Sequence, residues 1–288
     1  DALAANSLRR AQLRADRLGD TEGAVDLLEE LLSGDPTQAQ ARSLCERLLS
    51  DTGVRMRLSR LLEPLYEADQ AWLALCGVLE MQAELADLEH EAFELLARAA
   101  EFQETQLSDP KAAFATWLDA LARQPAEERA VQALLRLAAE VGSWDVLLRA
   151  ATLAVDAVDS GDLSSQGRLL RVCADVAEFE LGDSDAAVSA LERLLALDMA
   201  DPDSMRHATT TLDRLYGASE QLEKQRDVLR KASEWAESSE ERRRLLTRIA
   251  QLEEDALGDL DAALRSWELV LIEDPEDASA LTAAERLH

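Results

Sequence analysis

Leu257-Gly258-Asp259 is one of four copies of a short motif, which recurs at Leu18, Leu107 and Leu181 with Ser108 in place of one glycine. Counted from the leucine of each copy, the sixth residue on is always Ala, the tenth is Leu or Trp, and the fourteenth is always Leu. The seventh residue before that leucine is also always Ala. Four copies that agree without gaps indicate an internal structural repeat. The alanines are Ala11, Ala24, Ala100, Ala113, Ala174, Ala187, Ala250 and Ala263.

Each position of the motif has a physical role in a helical hairpin. A glycine after the leucine favours the left-handed conformation that ends one helix, and the aspartate caps the next helix. The apolar positions six, ten and fourteen residues on lie along one face of that second helix. Alanine on both helices lets them approach closely. The motif therefore predicts an all-α protein built from hairpins of about 34 residues.

A second type of hairpin, the intervening hairpin, lies between these copies. Its markers are Leu65-Tyr66, Leu137-Ala138 and Leu215-Tyr216, and an apolar residue follows each marker leucine by seven positions. The first marker comes late, which predicts an inserted helix over about residues 53–66. The chain therefore divides into pairs of hairpins, at about 1–66, 67–138, 139–216 and 217–288.

Composition supports a helical fold and excludes other classes. Hydrophobic residues make up 47% of the 288 residues but aromatic residues only 4%, and there are 11 Gly and 6 Pro. So few aromatic and turn residues argue against β-sandwiches, barrels and propellers, and the high apolar content argues against disorder. The longest run without a formal charge is about ten residues, which is too short to span a bilayer, so no membrane partner is expected.

The spacing resembles the tetratricopeptide repeat (TPR), although the turn between the two helices is one residue longer here. The alternation of two hairpin types is similar to the paired, divergent repeats of large bacterial TPR proteins. The resemblance implies a single right-handed α-solenoid of about 15 helices over residues 1–288, cut from a longer array. Uncapped ends are expected to promote self-association. The last helix is expected to begin near Glu276 and to carry an apolar stripe of Ala278, Leu281, Ala284 and Leu287 that no following hairpin fully covers.

Charge narrows the choice of partner. The chain carries 30 Lys and Arg against 58 Asp and Glu, a net charge of −28. This acidity disfavours nucleic acid, because phosphate binding depends on cations, and it favours a basic protein partner. Residues 206–250 differ, with 10 basic and 8 acidic residues. We interpret the basic cluster of this segment as balance for neighbouring acidic hairpins, with a docking patch for an acidic segment as the alternative. The cluster consists of Arg242-Arg243-Arg244 with Arg248, preceded by Lys224, Arg226, Arg230 and Lys231.

Residues that carry chemistry are sparse and scattered. Cys45, Cys76 and Cys173 form no CxxC or Cys/His cluster and lie in Leu- and Ala-rich stretches, so we expect buried, unreactive thiols. Gly-rich phosphate loops, HExxH and GxSxG are absent, and the three histidines are widely spaced. The sequence therefore predicts no enzymatic activity, no cofactor and no metal site. Free thiols favour a reducing, cytoplasmic location.

Four of the five tryptophans, Trp72, Trp117, Trp144 and Trp267, fall at core positions of the repeat. We therefore expect them to pack in the core rather than to form a binding platform. Trp235 lies outside that register. Burial is favoured for it as well, with an exposed contact as the alternative.

The resemblance also implies where a partner binds. In a TPR superhelix, the first helix of each hairpin lines a concave groove. The family's groove positions correspond to largely polar residues in the last three Leu-Gly-Asp copies. The Lys and Asn clamp that some members use for a terminal carboxylate is not expected, because the chain has three Lys and one Asn. The predicted partner-binding residues are Glu94, Glu101, Glu104, Arg168, Arg171, Asp175, Glu178, Arg244, Thr247, Gln251 and Glu254.

These observations favour one function and leave two alternatives open. The favoured hypothesis is a non-enzymatic scaffold for protein–protein interaction that binds a protein or peptide segment in the groove. The first alternative is an acidic chaperone or mimic that holds a basic partner, and its binding must weaken steeply with added salt. The second is a regulatory docking array fused to an enzyme outside this fragment, which the flanking sequence of the parent would reveal.

Overall fold

The structure, a computed structural model, describes residues 2–197 and 202–288, which form sixteen α-helices and no strand. This confirms the all-α prediction, with one helix more than the expected count. The chain divides into two compact units, one up to Ala150 and one from Ala151. The single right-handed solenoid over residues 1–288 stays a prediction.

The first unit contains the predicted inserted helix, which begins at Arg55, ends at Ala68 and has Pro64 in its interior. Helix α9 contains the unit boundary. The first nine helices are α1 (Ala2–Leu13), α2 (Thr21–Gly34), α3 (Ala39–Leu48), α4 (Arg55–Ala68), α5 (Trp72–Leu85), α6 (Glu89–Thr105), α7 (Pro110–Arg123), α8 (Glu128–Val141) and α9 (Trp144–Ala157). The remaining helices are α10 (Leu163–Asp175), α11 (Ser184–Ala196), α12 (Pro202–Ala218), α13 (Leu222–Glu234), α14 (Ser239–Gln251), α15 (Leu260–Glu273) and α16 (Ala278–Leu287).

The turn of each Leu-Gly-Asp copy has the predicted conformation. The residue after the leucine is left-handed in all four copies, with φ from 53° at Ser108 to 67° at Gly258. The aspartate caps the following helix, because its Oδ1 accepts the backbone N–H of the residue three positions on, at 2.9–3.0 Å. Gln70, Gly142 and Glu220 take the left-handed conformation in the intervening hairpins.

The extra residue in the turn is absorbed by the first helix. Three of the four first helices end in a π-helical segment, at Arg14–Leu18, Val176–Glu180 and Leu252–Ala256. A π-helical turn holds one residue more than an α-helical turn, so it lengthens the helix end without loosening the connection. In the Leu107 copy, which has no π-helical segment, the N–H of Asp109 donates to the carbonyl of Gln103 at 2.9 Å. This pairing between residues six apart is shared by all four copies.

Glycine in place of Ser108 should stabilise the protein by about 0.5–1 kcal/mol, because a side chain is strained at positive φ. The matched control is Gln106→Gly, since Gln106 has a right-handed φ of −102°. Glycine there should destabilise by a similar amount. Urea unfolding of both variants measures the difference. If Ser108→Gly leaves stability unchanged, the serine is not strained in this turn.

The eight motif alanines lie between packed helices and are at most 2% exposed, which confirms the predicted register. Trp117 and Trp267 are buried, as expected for the core. Trp72 and Trp144 are only half-buried, and Trp72 stacks on Phe102 with ring centroids 5.2 Å apart. The predicted burial of Trp235 is wrong. Its side chain is 44% exposed, and it occupies the C-cap position after the last residue of α13.

The apolar stripe expected on the last helix is only partly covered, and the buried face of this helix is centred on other residues. Helix α16 buries Ala280 and Ala283, whereas Ala278 and Leu281 are exposed. Residues spaced by three drift around a helix, while a spacing of three and four keeps them on one face. The buried face therefore includes Ala280 and Ala283, with Leu287 packed partly against the same cluster. Self-association through the ends of the chain stays a prediction.

The three cysteines are buried, as expected. Burial raises the pKa of the Cys45 thiol from its ordinary value of 9.0 to about 12, and that of Cys76 to about 11. Burial and hydrogen bonds to Glu46 and Glu192 also raise the pKa of Tyr66 and Tyr216. These groups therefore remain neutral in the folded state at pH values where the unfolded chain ionises.

The pKa of these thiols predicts a loss of stability in alkaline solution. Above pH 9 the unfolded chain binds fewer protons than the folded chain, so the free energy of unfolding falls as the pH rises toward about 12. Urea unfolding at a series of pH values measures this slope. The Cys45→Ala/Cys76→Ala variant should show a shallower slope, with the part due to the tyrosines remaining. An equally steep slope would exclude the thiols as a cause.

Candidate partner-binding site

The first helices of consecutive hairpins are joined by ion pairs between an acid on one helix and an arginine on the next. We call the surface that these helices form within each unit the first-helix face of that unit; it comprises α6 and α8 in the first unit and α10, α12, α14 and α16 in the second. The exposed pairs among them contribute roughly 0–1 kcal/mol each, so their main effect is to orient side chains. In three of the pairs the carboxylate is only 10–11% exposed. The pairs include Glu94–Arg129, Glu104–Arg136, Glu178–Arg214, Asp213–Arg248 and Glu254–Arg286.

These pairs occupy several of the eleven predicted partner-binding residues. Glu94, Glu104, Glu178 and Glu254 are held by arginines of the next hairpin, and Asp175 lies 3.4 Å from the Nε2 atom of His207. The charges of these four glutamates are therefore already balanced within the chain.

Three more predicted residues contact their own helix. The Arg168 guanidinium donates to the Ser165 hydroxyl at 3.0 Å, and the Thr247 hydroxyl donates to a main-chain carbonyl at 2.9 Å. Arg244 pairs with Glu240 at 3.0 Å. Glu101, Arg171 and Gln251 remain, and their exposed side chains make no hydrogen bond or ion pair with any residue that the structure describes.

A cavity of about 520 Å³ lies between α6 and α8 in the first unit; we call it the α6–α8 cavity. Two predicted residues, Glu101 and Glu104, line one wall. The buried Trp117 and Ala133 supply apolar surface. The remaining lining residues are Arg129, Gln132 and Arg136.

The charges around the α6–α8 cavity leave one carboxylate free. The Arg129 guanidinium pairs with Glu94 at 3.2 Å and lies 5.8 Å from the centroid of the Trp117 ring. Arg136 is occupied by Glu104 at 2.8 Å. Glu101 is therefore the one unpaired charge among the described residues that line this cavity. The exposed amide of Gln132 also has no partner among them.

The two buried motif tryptophans differ in their polar contacts. In the second unit, the Trp267 indole N–H donates to Glu254 Oε2 at 3.1 Å. Glu104 and Trp117 occupy the same repeat positions in the first unit, but no described residue accepts from the Trp117 indole. The α6–α8 cavity thus combines a free carboxylate with an apolar surface, beside a tryptophan whose indole N–H has no acceptor among the described residues.

A smaller crevice of about 70 Å³ lies between α12 and α14 in the second unit. Trp235 lines it, with Thr210 and Leu245 on the two helices. None of the predicted partner-binding residues is part of it.

The arginine cluster of α14 is balanced within the chain, as the favoured interpretation required. Arg242 pairs with Glu273 at 3.3 Å, and Arg243 pairs with Asp277 at 2.8 Å. Together with the Arg244 and Arg248 pairs, these contacts leave no unpaired arginine in the cluster among the described residues. For these four arginines of α14, the alternative of a docking patch for an acidic segment has no support.

The described residues include no group of three or more His, Cys, Asp and Glu side chains arranged to hold a metal ion. Within the same residues, no helix combines the length and apolar character needed to cross a bilayer.

Comparison with known proteins yields structural similarity alone. No protein-family model and no curated protein matches the sequence. YrrB, a TPR protein with an unusual peptide-binding site, is 14% identical, with 66% of this chain and 91% of that chain covered and a TM-score of 0.35. A C-terminal part of a TPR repeat-containing protein from Cytophaga hutchinsonii is 12% identical, covering 88% and 97%, with a TM-score of 0.37. A thermophilic TPR protein from Thermus thermophilus, TTC0263, is 18% identical, covering 68% and 98%, with a TM-score of 0.26.

The structure of the chain itself shows what kind of repeat it has. Buried alanines lie on both helices of each Leu-Gly-Asp hairpin, and a capped left-handed turn joins the two. The fold is TPR-like. Within this TPR-like fold, the wall that faces Glu94, Glu104, Glu178 and Glu254 comes from intervening hairpins, which supply the arginine partners of these glutamates.

That wall contains the cavity residues that sequence analysis missed. Arg129, Gln132, Ala133 and Arg136 belong to α8, whose hairpin matches the TPR pattern only loosely, so no groove positions were assigned to it. They follow a spacing of three, four and seven from Arg129, which places them on one face of the helix. This helical spacing is the signal in the sequence from which a common face of α8 could have been predicted.

Proposed function

We propose that this TPR-like chain is a non-enzymatic scaffold that binds a segment of a partner protein on the first-helix face of its first unit, anchored in the α6–α8 cavity. The observation that carries the proposal is the free Glu101 carboxylate beside the apolar surface of Trp117 and Ala133. A shaped apolar cavity with a few polar groups is the usual form of a binding site. A peptide-binding site is also present in YrrB, one of the TPR proteins compared above.

The chemistry of the cavity indicates a basic partner segment. A lysine or arginine of the partner pairs with Glu101, and its aliphatic stem packs on the Trp117 side of the cavity. A carbonyl of the partner accepts a hydrogen bond from the unused indole N–H of Trp117, as the Glu254 carboxylate does from the Trp267 indole. The net charge of −28 attracts such a segment over a longer range.

Selection of displayed random peptides on the protein tests this proposal. Enriched peptides should contain Lys or Arg, and their affinities are then measured by fluorescence anisotropy. Glu101→Gln should weaken binding about tenfold, since losing a charge-assisted hydrogen bond costs roughly 1.5 kcal/mol or more. The matched control is Glu140→Gln, because Glu140 is exposed on α8 but does not line the cavity. Equal loss in both variants, or no loss in either, would exclude the cavity as the anchor.

The net charge of −28 also supports the alternative of an acidic holder for a basic protein. A holder that acts through diffuse charge should bind with a steep salt dependence, and Glu101→Gln and Glu140→Gln should weaken it equally. A segment anchored in the α6–α8 cavity should depend less on salt and respond to Glu101→Gln alone. The same titrations, repeated at several salt concentrations, therefore separate the two functions.

A further inference from the structure

A second recess lies between the second helices α11 and α13 in the second unit, away from every predicted groove residue. This α11–α13 crevice has a volume of about 260 Å³. Its apolar surface comes from Leu212, Tyr216 and Val228, which are all less than 9% exposed. Lys224 and Lys231 of α13 stand at its edge.

The charges at the edge of the crevice leave one cation free. The Lys224 ammonium lies 3.1 Å from Glu192 Oε1 and 5.4 Å from the centroid of the Tyr216 ring. The Tyr216 hydroxyl also donates to Glu192, and these contacts hold the pKa of that carboxyl below its ordinary value, so it stays ionised and balances Lys224. Lys231 is exposed and pairs with no described residue.

Asp227, the other acidic residue at the edge of the crevice, is also paired. Arg226 donates to Asp227 Oδ1 through two nitrogens, at 3.0 and 2.8 Å. Lys231 therefore presents the one unbalanced charge among the described residues of the crevice, on a chain that is otherwise strongly acidic. An exposed ammonium beside apolar surface attracts an anion that is attached to an apolar group.

The repeat itself does not require these lysines. Lys224 lies eight residues after the marker Tyr216. The residues at the same distance from the markers of the other two intervening hairpins are Ala74 and Val146. The position of Lys231 is Met81 or Leu153. The chain has only three lysines against 27 arginines, so two of the three lie on one face of one helix. Their placement is specific to the α11–α13 crevice.

We propose that the α11–α13 crevice is a docking site for a partner segment that carries an apolar side chain with a carboxylate one or two residues away. The apolar side chain enters between Leu212, Tyr216 and Val228, and the carboxylate pairs with Lys231. Lys224 and Lys231 are two helical turns apart, about 10 Å along α13. One or two residues of an extended segment span about half of that distance. An apolar side chain in the middle of the crevice therefore leaves a carboxylate one or two residues away within reach of Lys231.

Two matched pools of dye-labelled octapeptides test this proposal by fluorescence anisotropy. In the first pool Leu, Ile, Phe or Met is followed within two residues by Asp or Glu, and in the second Asn or Gln replaces the acid. The first pool should bind the protein at least fivefold more tightly than the second. Lys231→Gln should remove that preference, and Lys231→Arg should retain it within about twofold.

The control variant is Lys111→Gln, which removes the exposed third lysine from α7 in the other unit and should leave the preference unchanged. Methyl NMR shifts of Val228 and Leu212 on addition of the acidic pool should locate binding in the crevice. Equal binding of the two pools, or an acidic preference that survives Lys231→Gln, would overturn the proposal. Glu101→Gln should not alter binding of the acidic pool, so this test fails or succeeds separately from the proposed function of the α6–α8 cavity.

Discussion

Alanine in place of Glu253 should lower the free energy of unfolding by about 2–4 kcal/mol, the largest effect expected from any single change at a polar residue of the chain. Glu253 is completely buried. Its carboxylate accepts a hydrogen bond from the Ser266 hydroxyl at 2.6 Å and pairs with Arg230 at 2.5 Å. Truncation leaves a cavity and an unpaired hydroxyl. Arg230 is 46% exposed, so it can turn to water, and the expected loss is smaller than for a fully buried pair.

The repeat supplies the control for this prediction. In the third Leu-Gly-Asp copy the positions of Glu253 and Ser266 hold Ala177 and Ala190, and both alanines are buried. An apolar version of the contact is therefore compatible with the fold. Glu253→Leu/Ser266→Ala should recover most of the stability lost in Glu253→Ala, because replacing both partners leaves no unsatisfied group. Urea unfolding of the three proteins measures this. A double variant as unstable as Glu253→Ala would mean that the charge itself is needed.

The second large effect is expected at the motif alanines. Leucine in place of Ala113 or Ala187 should destabilise by roughly 1–3 kcal/mol, because both residues are 0% exposed between two helices and no space exists for three more carbons. The matched control is Ala122→Leu, on the exposed side of the same helix as Ala113. It should change stability by less than about 0.5 kcal/mol. Thermal and urea unfolding report both values.

Tolerance of leucine at both buried positions would contradict the assigned register. A loss at one of them alone would show that the hairpins differ in how closely their helices approach. Destabilisation by Ala122→Leu as large as that by Ala113→Leu would point to helix propensity rather than packing as the cause.

Local chemistry explains why the hairpins themselves were predictable. A left-handed residue, a capping aspartate and an apolar stripe act within a few residues of one another, so their effects can be deduced from sequence spacing alone. Gly258 and Asp259 behave in the structure as their residue types predict. The buried alanines follow for the same reason, since one face of each helix must meet its neighbour.

The candidate site was predictable only in part. Glu101 and Glu104 line the α6–α8 cavity as expected, but Glu104 is already paired with Arg136, 32 residues away. Whether a groove residue is free depends on which side chain of the next hairpin reaches it. That choice is made by the packing of two hairpins and leaves no mark in the spacing of either one.

Residue spacing and turn chemistry were therefore enough to specify an all-α chain of TPR-like hairpins, their capped turns and their buried alanines. Packing between hairpins established the rest: the α6–α8 cavity with its free Glu101, the α11–α13 crevice with its free Lys231, and the buried face of α16. The physical reason is one of range. Caps and helical faces are interactions within a turn or two of helix, whereas a free charge or a cavity is what remains after side chains about 35 residues apart have found their partners.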